Sequence, residues 1–275
     1  MSHPFVKMNG LGNDFVVVEA QGAPFSPAAE EVRAIADRAG GIGCDQLIVL
    51  SPSDGSDVRM RIWNADGHEV ERCGNAERCV GWLIMQASGR QSASIETGGR
   101  RLEVRDAGQR AVTVDMGLPG LDWRDIPLAE EMDTARIELQ VGPIDAPILH
   151  TPGCVSFGNP HVVFFVEDAD AAPVAKVGPM IEHHHLFPER VNVGFAQVKA
   201  HDRIRLRVWE RGAGLTQACG TGACAALVAA HRRGLAGRAA TLELDGGELA
   251  IDWRAGDGHV LMTGPTAVEF TGVLP

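Results

Sequence analysis

The chain has 275 residues, with 25 Lys+Arg against 36 Asp+Glu, a formal net charge of -11 and no tyrosine. That acidic balance excludes a nucleic-acid or anionic-membrane partner held by charge, since both demand a basic surface. The 45% apolar and 22% charged composition is that of a globular chain, one large domain or two ordinary ones, and the missing tyrosine removes phenol from the available acid–base groups.

The start of the chain lacks a basic segment followed by an apolar one, as a secretion signal would have. The longest uncharged run, Gly212 to Ala230, begins in Gly, Thr and Gln, and its apolar part is far short of a membrane span. A soluble cytoplasmic protein is expected. Strands are predicted at Phe15–Glu19, Leu47–Leu50, Val58–Trp63, Val112–Met116, Val162–Glu167 and Ile204–Trp209, each a short β-type run bounded by Gly, Asp or Pro. A surface helix is predicted at Pro27–Ala39. Two further helices, Asn75–Ala87 and Gly222–Arg232, are apolar nearly all round and should be buried. Ile137–Val141 is a strand-like patch in a connector, Gly120 to His150.

These elements repeat. Sliding the chain by 146 positions lays Gly158-Asn159 on Gly12-Asn13, Arg207-Val208-Trp209 on Arg61-Ile62-Trp63 and Cys219-Gly220 on Cys73-Gly74. At the same offset Asn192 meets Gln46, Glu210 meets Asn64, and Met262 to Pro265 meets Met116 to Pro119. One offset kept over so long a stretch indicates an internal duplication. The expected fold is α/β of the α+β type: two pseudo-symmetric domains, each a mostly antiparallel sheet wrapped round a central helix. The domains are set at 1–119, with the tail 265–275 returning to it, and 120–264.

Cys73 and Cys219 occupy the same place in each copy, in a Gly-rich turn just before a buried helix. Free backbone N–H groups and the positive end of the helix dipole gather there and favour anions. A thiol so placed is expected to titrate below its usual value of about 8.5, at roughly 3.5–7.5. Two domains facing each other would set two such thiols on opposite sides of one ligand. That arrangement suits inversion of a stereocentre, where a base takes a proton from one face and an acid returns one to the other. Cys44, Cys79, Cys154 and Cys224 read as small packing residues. A disulfide between the two facing thiols would be a product of oxidation.

The segments Gly10-Leu11-Gly12-Asn13-Asp14-Phe15, Gly41-Ile42-Gly43-Cys44-Asp45-Gln46, Asn64-Ala65-Asp66-Gly67 and Cys73-Gly74-Asn75 resemble the diaminopimelate epimerase family. So do Gly158-Asn159-Pro160-His161, Asn192-Val193-Gly194-Phe195, Glu210-Arg211-Gly212-Ala213-Gly214 and Ala218-Cys219-Gly220-Thr221-Gly222-Ala223-Cys224, and the likeness covers nearly the whole chain in order. The resemblance implies an isomerase without PLP or metal that interconverts LL- and meso-diaminopimelate for lysine and peptidoglycan synthesis. It also implies an active site between the two domains and a homodimer. By the same resemblance Cys73 and Cys219 are the acid–base thiols. Gly74, Asn75, Gly220 and Thr221 cradle the reacting carboxylate, and Asn13, Gln46, Asn64, Asn159, Asn192, Glu210 and Arg211 grip the rest of the substrate. A substrate with two amino-acid heads needs such a set, with Arg211 as a fork for a carboxylate and Glu210 as the partner of an ammonium.

Some positions depart from the family pattern: Asn9 where His is common, Ala76-Glu77 for Gly-Ala, and Leu215 where Glu is typical. The Glu77 charge could oppose ionisation of Cys73, and Leu215 could alter the loop before Cys219. His183-His184-His185 reads as a solvated turn rather than a metal site. His161 reads equally as support for the pocket or as packing. Asp54-Gly55-Ser56-Asp57 is a plain turn, and no Gly-Lys-Ser/Thr ending makes any Gly-rich turn a phosphate loop. Two rival readings are a proline or hydroxyproline racemase of the same architecture, and a non-catalytic redox sensor.

Overall fold

Phe15 to Val18 and Leu47 to Leu50 are unbroken apolar runs, the pattern of strands covered on both faces, and every residue in them is buried. They pair in parallel, Val16 with Leu47 through Val18 with Val49. Parallel neighbours need a crossover connection, commonly a helix. The same requirement shapes the whole chain.

The computed structural model describes residues 3–20, 22 and 24–274. They divide into two compact units, Met1–Asp115 with Thr263–Pro275, and Met116–Met262. The first unit contains β1 (His3–Gly10), β2 (Asn13–Glu19), α1 (Ala29–Ala36), β3 (Gln46–Ser51), β4 (Val58–Asn64) and β5 (Glu69–Val70). It continues with α2 (Gly74–Ser88), β6 (Ser92–Thr97), β7 (Arg100–Gly108) and β8 (Ala111–Asp115). The second unit contains β9 (Gln140–Val141), β10 (Leu149–His150), β11 (Gly153–Ser156), β12 (Pro160–Phe165), α3 (Val174–Glu182) and β13 (Asn192–Ala200). After these come β14 (Arg203–Glu210), β15 (Gly214–Thr216), α4 (Gly220–Arg232), β16 (Ala239–Leu244) and β17 (Gly247–Trp253). Through β18 (Val260–Pro265) the chain returns to the first unit, where β19 (Ala267–Leu274) pairs antiparallel with β1.

Each unit has two parallel pairs, each bridged by a helix. In the first unit these are β2–β3 across α1 and β4–β6 across α2. In the second they are β12–β13 across α3 and β14–β16 across α4. The remaining pairings given for each unit are antiparallel. α2 packs against β1, β2, β6, β7 and β8, and α4 against β11, β12, β13, β14, β16 and β17. The fold is therefore α+β, the same sheet-around-a-helix arrangement twice. Apolar strand faces close over α1 with Val16, Leu47 and Trp63, and over α3 with Val162, Phe164 and Phe195.

Several elements differ from the sequence expectation. α4 is buried from Gly220 to Ala230, but α2 is enclosed only in its first half, and Trp82, Leu83 and Ile84 are half-buried. The Arg110 guanidinium covers the Trp82 ring at 5.9 Å, completing the shelter that strands supply elsewhere. α1 stops at Ala36 because the Asp37 carboxylate turns back to accept the N–H groups of Ala39 and Gly40. Of the 137–141 patch only Gln140–Val141 is strand, since Ile137 donates to Pro152 and Leu139 to Ile137 rather than to a ladder. α3 was not foreseen; Pro179 inside it breaks the helical pattern. The repeat gives it away, because the offset carries Pro27 onto Pro173. No helix among the described residues is long and apolar enough to cross a membrane.

Enclosure of α4 predicts that Leu227→Ala, at a fully buried position, destabilises the protein by about 2–5 kcal/mol. Leu83→Ala in the half-open part of α2 should cost distinctly less. Denaturant midpoints of the two variants check this, and equal losses would contradict it.

Candidate active site

Cys73 and Cys219 are the N-caps of α2 and α4, with extended backbones at φ -151°, ψ 107° and φ -119°, ψ 107°. Each gives its carbonyl to the first helical bond, from Glu77 N–H (2.9 Å) and from Ala223 N–H (2.9 Å). The N–H groups of the turn that follows have no acceptor within their helix. All six cysteines are free thiols.

In the first unit α2 brings Asn75 to the start of β2, where its amide donates to Asn13 Oδ1 (2.6 Å). On the neighbouring strands Gln46 Nε2 donates to Asn64 Oδ1 (2.9 Å). The other amide atom, Gln46 Oε1, is buried without a hydrogen-bond partner. Arg78, the largest fully buried side chain, donates from Nη2 to Asn75 Oδ1 (2.8 Å). Sequence reasoning passed over it, because Asn75 and Glu77 beside it make the helix start look polar and solvent-facing. Glu77 is buried against the Arg72 guanidinium (3.1 Å). Asn9 lies beneath the turn, donating to Asp14 (2.7 Å) and accepting from Gly12 N–H (3.0 Å).

The second unit builds a denser cluster. Thr221 Oγ1 meets Asn159 Nδ2 (3.2 Å), His161 Nε2 (3.0 Å) and the Cys219 sulfur (3.7 Å). The Cys219 thiol also hydrogen-bonds to the Glu210 carboxylate, which accepts the Thr216 hydroxyl on its other side. A Cβ at position 222 would stand 3.1 Å from this sulfur and 3.2 Å from Val208, a tight approach that glycine avoids. Asn192 has both amide ends engaged, Nδ2 to Pro160 O (2.9 Å) and Oδ1 to Arg211 N–H (2.9 Å). Arg211 itself is exposed and rests its fork on the Glu189 carbonyl (2.9 Å). Leu215 is 40% exposed and pairs in register with Trp209, leaving Thr216 beside Glu210.

One expectation is overturned at Cys219. Burial pushes its thiol well above the ordinary range, and the neighbouring Glu210 carboxylate pushes the same way. The Thr221 hydroxyl and Gly222 N–H oppose that rise without cancelling it. Burial likewise raises Glu210. The helix start alone therefore does not set the thiol's charge: a low-polarity wall and a carboxylate outweigh it, and Cys219 rests protonated. Burial also raises Cys44 to about 11, Cys79 to about 12 and Cys154 further, as inert packing thiols require. The three histidines 183–185 form a turn after α3, and no group of metal-binding side chains occurs among the described residues.

A sequence profile of the Diaminopimelate epimerase family matches residues 5–121 and 153–268. The chain is 66% identical to diaminopimelate epimerase of Phenylobacterium zucineum (strain HLK1) over 275 residues, covering 100% of this chain and 99% of that one. It is 58% identical to diaminopimelate epimerase of Caulobacter vibrioides (strain NA1000 / CB15N), covering 100% of this chain and 98% of that one. The chain belongs to the diaminopimelate epimerase family. That membership makes it an isomerase. Among solved structures, it shares its fold with a hydroxyproline epimerase from Agrobacterium vitis (TM-score 0.68, 15% identity, 99% of this chain and 92% of that one). A phenazine biosynthesis PhzF-family protein from Enterococcus faecalis is similar in the same way (TM-score 0.69, 14% identity, 100% of both chains).

Within this epimerase-family site His161 is fully buried, and burial with the nearby Arg211 charge pushes it down to about 3. An unfolded histidine titrates near pH 6.5, so between pH 6.5 and 3 the unfolded chain binds the extra proton and stability falls as pH drops. On going from pH 7 to pH 4.5, His161→Gln should lose less stability than the parent, by about 2–3 kcal/mol. Unfolding free energies at the two pH values check this; equal losses would contradict a neutral buried imidazole.

Proposed function

We propose that this protein interconverts LL- and meso-2,6-diaminopimelate for lysine and peptidoglycan-precursor synthesis, without PLP or metal, with Cys73 and Cys219 as a two-base pair. The observation that carries the reading is a cysteine at the extended N-cap of a central helix, present in both copies of one duplicated unit. A cytoplasmic homodimer, with functional domains 1–119 plus 265–275 and 120–264, belongs to the same proposal.

The reaction needs a thiolate to take the α-proton from one face of the carbon and a thiol to deliver a proton to the other. The electron pair left on the carbon is delocalised into its carboxylate, which N–H donors must stabilise. Gly74, Asn75, Gly220 and Thr221, at the starts of α2 and α4, are assigned that task. After the transfer the first sulfur carries the proton, the second is a thiolate, and exchange with solvent restores the starting state. Burial and Glu210 keep Cys219 protonated at rest, which suits the proton-donating half of the cycle.

Asn13, Gln46, Asn64, Asn159, Asn192, Glu210 and Arg211 are assigned to gripping the remainder of the substrate. The unpartnered, buried Gln46 Oε1 is suited to an ammonium donor, and Asn192 serves by fixing the Arg211 backbone. A PLP enzyme needs a lysine for its Schiff base, and the sequence has three. Lys7 is buried against Gly43 and Asp14, Lys199 pairs with Glu243, and Lys176 lies on α3, so none belongs to either cysteine cluster.

Purified, reduced protein with no added PLP or metal should convert LL- to meso-diaminopimelate, followed by chiral chromatography. Cys73→Ala and Cys219→Ala should each lose at least about 10²–10⁴-fold in rate, with Cys79→Ala close to the parent. Full turnover by either of the first two, or turnover of proline in place of diaminopimelate, would overturn the reading.

A further inference from the structure

Glu182 closes α3 with a side chain that is only 5% exposed. One carboxylate oxygen accepts the Trp209 indole N–H (2.7 Å), the other accepts the Gly212 backbone N–H (3.0 Å), and Arg190 stands 4.0 Å away. Those two donors flank Glu210 and Arg211 in sequence, one immediately before the pair and one immediately after. A buried carboxylate is costly unless its lone pairs are met. Here both oxygens are met from the two ends of a single segment. The seat is tight as well: a Cβ at Gly178 would come within 2.5 Å of Trp209, so α3 lies with bare backbone on the indole. Asn192 holds the Arg211 N–H between these two anchors.

The duplication supplies a comparison within the chain itself. At the offset of 146, Trp209 falls on Trp63 and Glu210-Arg211 on Asn64-Ala65, but Glu182 falls on Ala36. Both copies keep the helix and the tryptophan. Only the copy whose turn carries the two charged side chains Glu210 and Arg211 carries a carboxylate at this helix position. A brace demanded by the fold alone would be demanded in both. We infer that Glu182 is a positioning residue that fixes Glu210 and Arg211 for contact with the distal amino-acid head of the substrate. The inference rests on the proposed role of those two residues as binding groups.

Glu182→Gln keeps the shape but leaves one carbonyl oxygen for two N–H donors, and turns an NH2 toward one of them. In this variant amide hydrogen exchange at Gly212 should accelerate at least about tenfold, and KM for LL-diaminopimelate should rise about tenfold with kcat held within about threefold. Trp209→Phe, which removes one donor and leaves the Gly212 contact, should shift both quantities the same way by less. A lowered melting temperature with parental Gly212 exchange and parental KM would overturn the inference, reducing Glu182 to a fold residue. Should the parent fail to turn over diaminopimelate, the functional reading falls, and the exchange rate at Gly212 still decides whether the brace exists.

Discussion

A helix can begin only with its first N–H groups unmatched by its own carbonyls, and that unmet demand organises both halves of this protein. Each unit places a cysteine at this point, in an extended conformation that hands its carbonyl to the helix. The strands then have to enclose the helix that supplies the N–H groups. In α4 the enclosure extends through Ala230, and in α2 it covers the half that follows Cys73. Parallel strand pairs flank the helices because a helix crossover is what joins parallel neighbours. Fold and cysteine turns thus follow from one requirement, a sheltered helix start.

The duplicated scaffold carries unequal chemistry. Cys73 is half-buried, while Cys219 is buried and hydrogen-bonded to a carboxylate. Asn64 and Ala65 in one turn become Glu210 and Arg211 in the other, and Ala36 becomes Glu182 beneath them. Amides that bind one another, Asn75 with Asn13 and Gln46 with Asn64, dominate the first cluster. Thr221, His161 and Glu210 gather around the sulfur in the second. The two sulfurs therefore start from different surroundings, although the proposed reaction asks each to take a proton in one direction and to give one in the other.

The sequence made β2, β3, β4, β8, β12, β14, α1, α2, α4 and both cysteine turns legible because each has a strong local signal, an apolar run or a Gly-rich turn before a helix. α3 was hidden by Pro179, although the repeat that revealed the duplication also carried its position. Burial was harder to read. Trp82, Leu83 and Ile84 look like core by composition, yet their exposure depends on how far the strands of the sheet extend. The protonation of Cys219 is a tertiary effect: it depends first on burial of the sulfur and then on Glu210, nine residues away, approaching it. Glu182 gives no local signal either, because its two partners lie 27 and 30 residues further on.

The central claim is that two different sulfurs serve the two faces of the reacting carbon. It is tested most directly by running the reaction from LL-diaminopimelate in D2O and reading isotopes before equilibrium, by mass spectrometry of the separated stereoisomers. With two bases, meso product from the earliest turnovers carries deuterium at the inverted carbon while the remaining LL substrate still carries protium. Early product that retains the substrate's own hydrogen would mean that a single base moves one proton between faces, and would contradict the account.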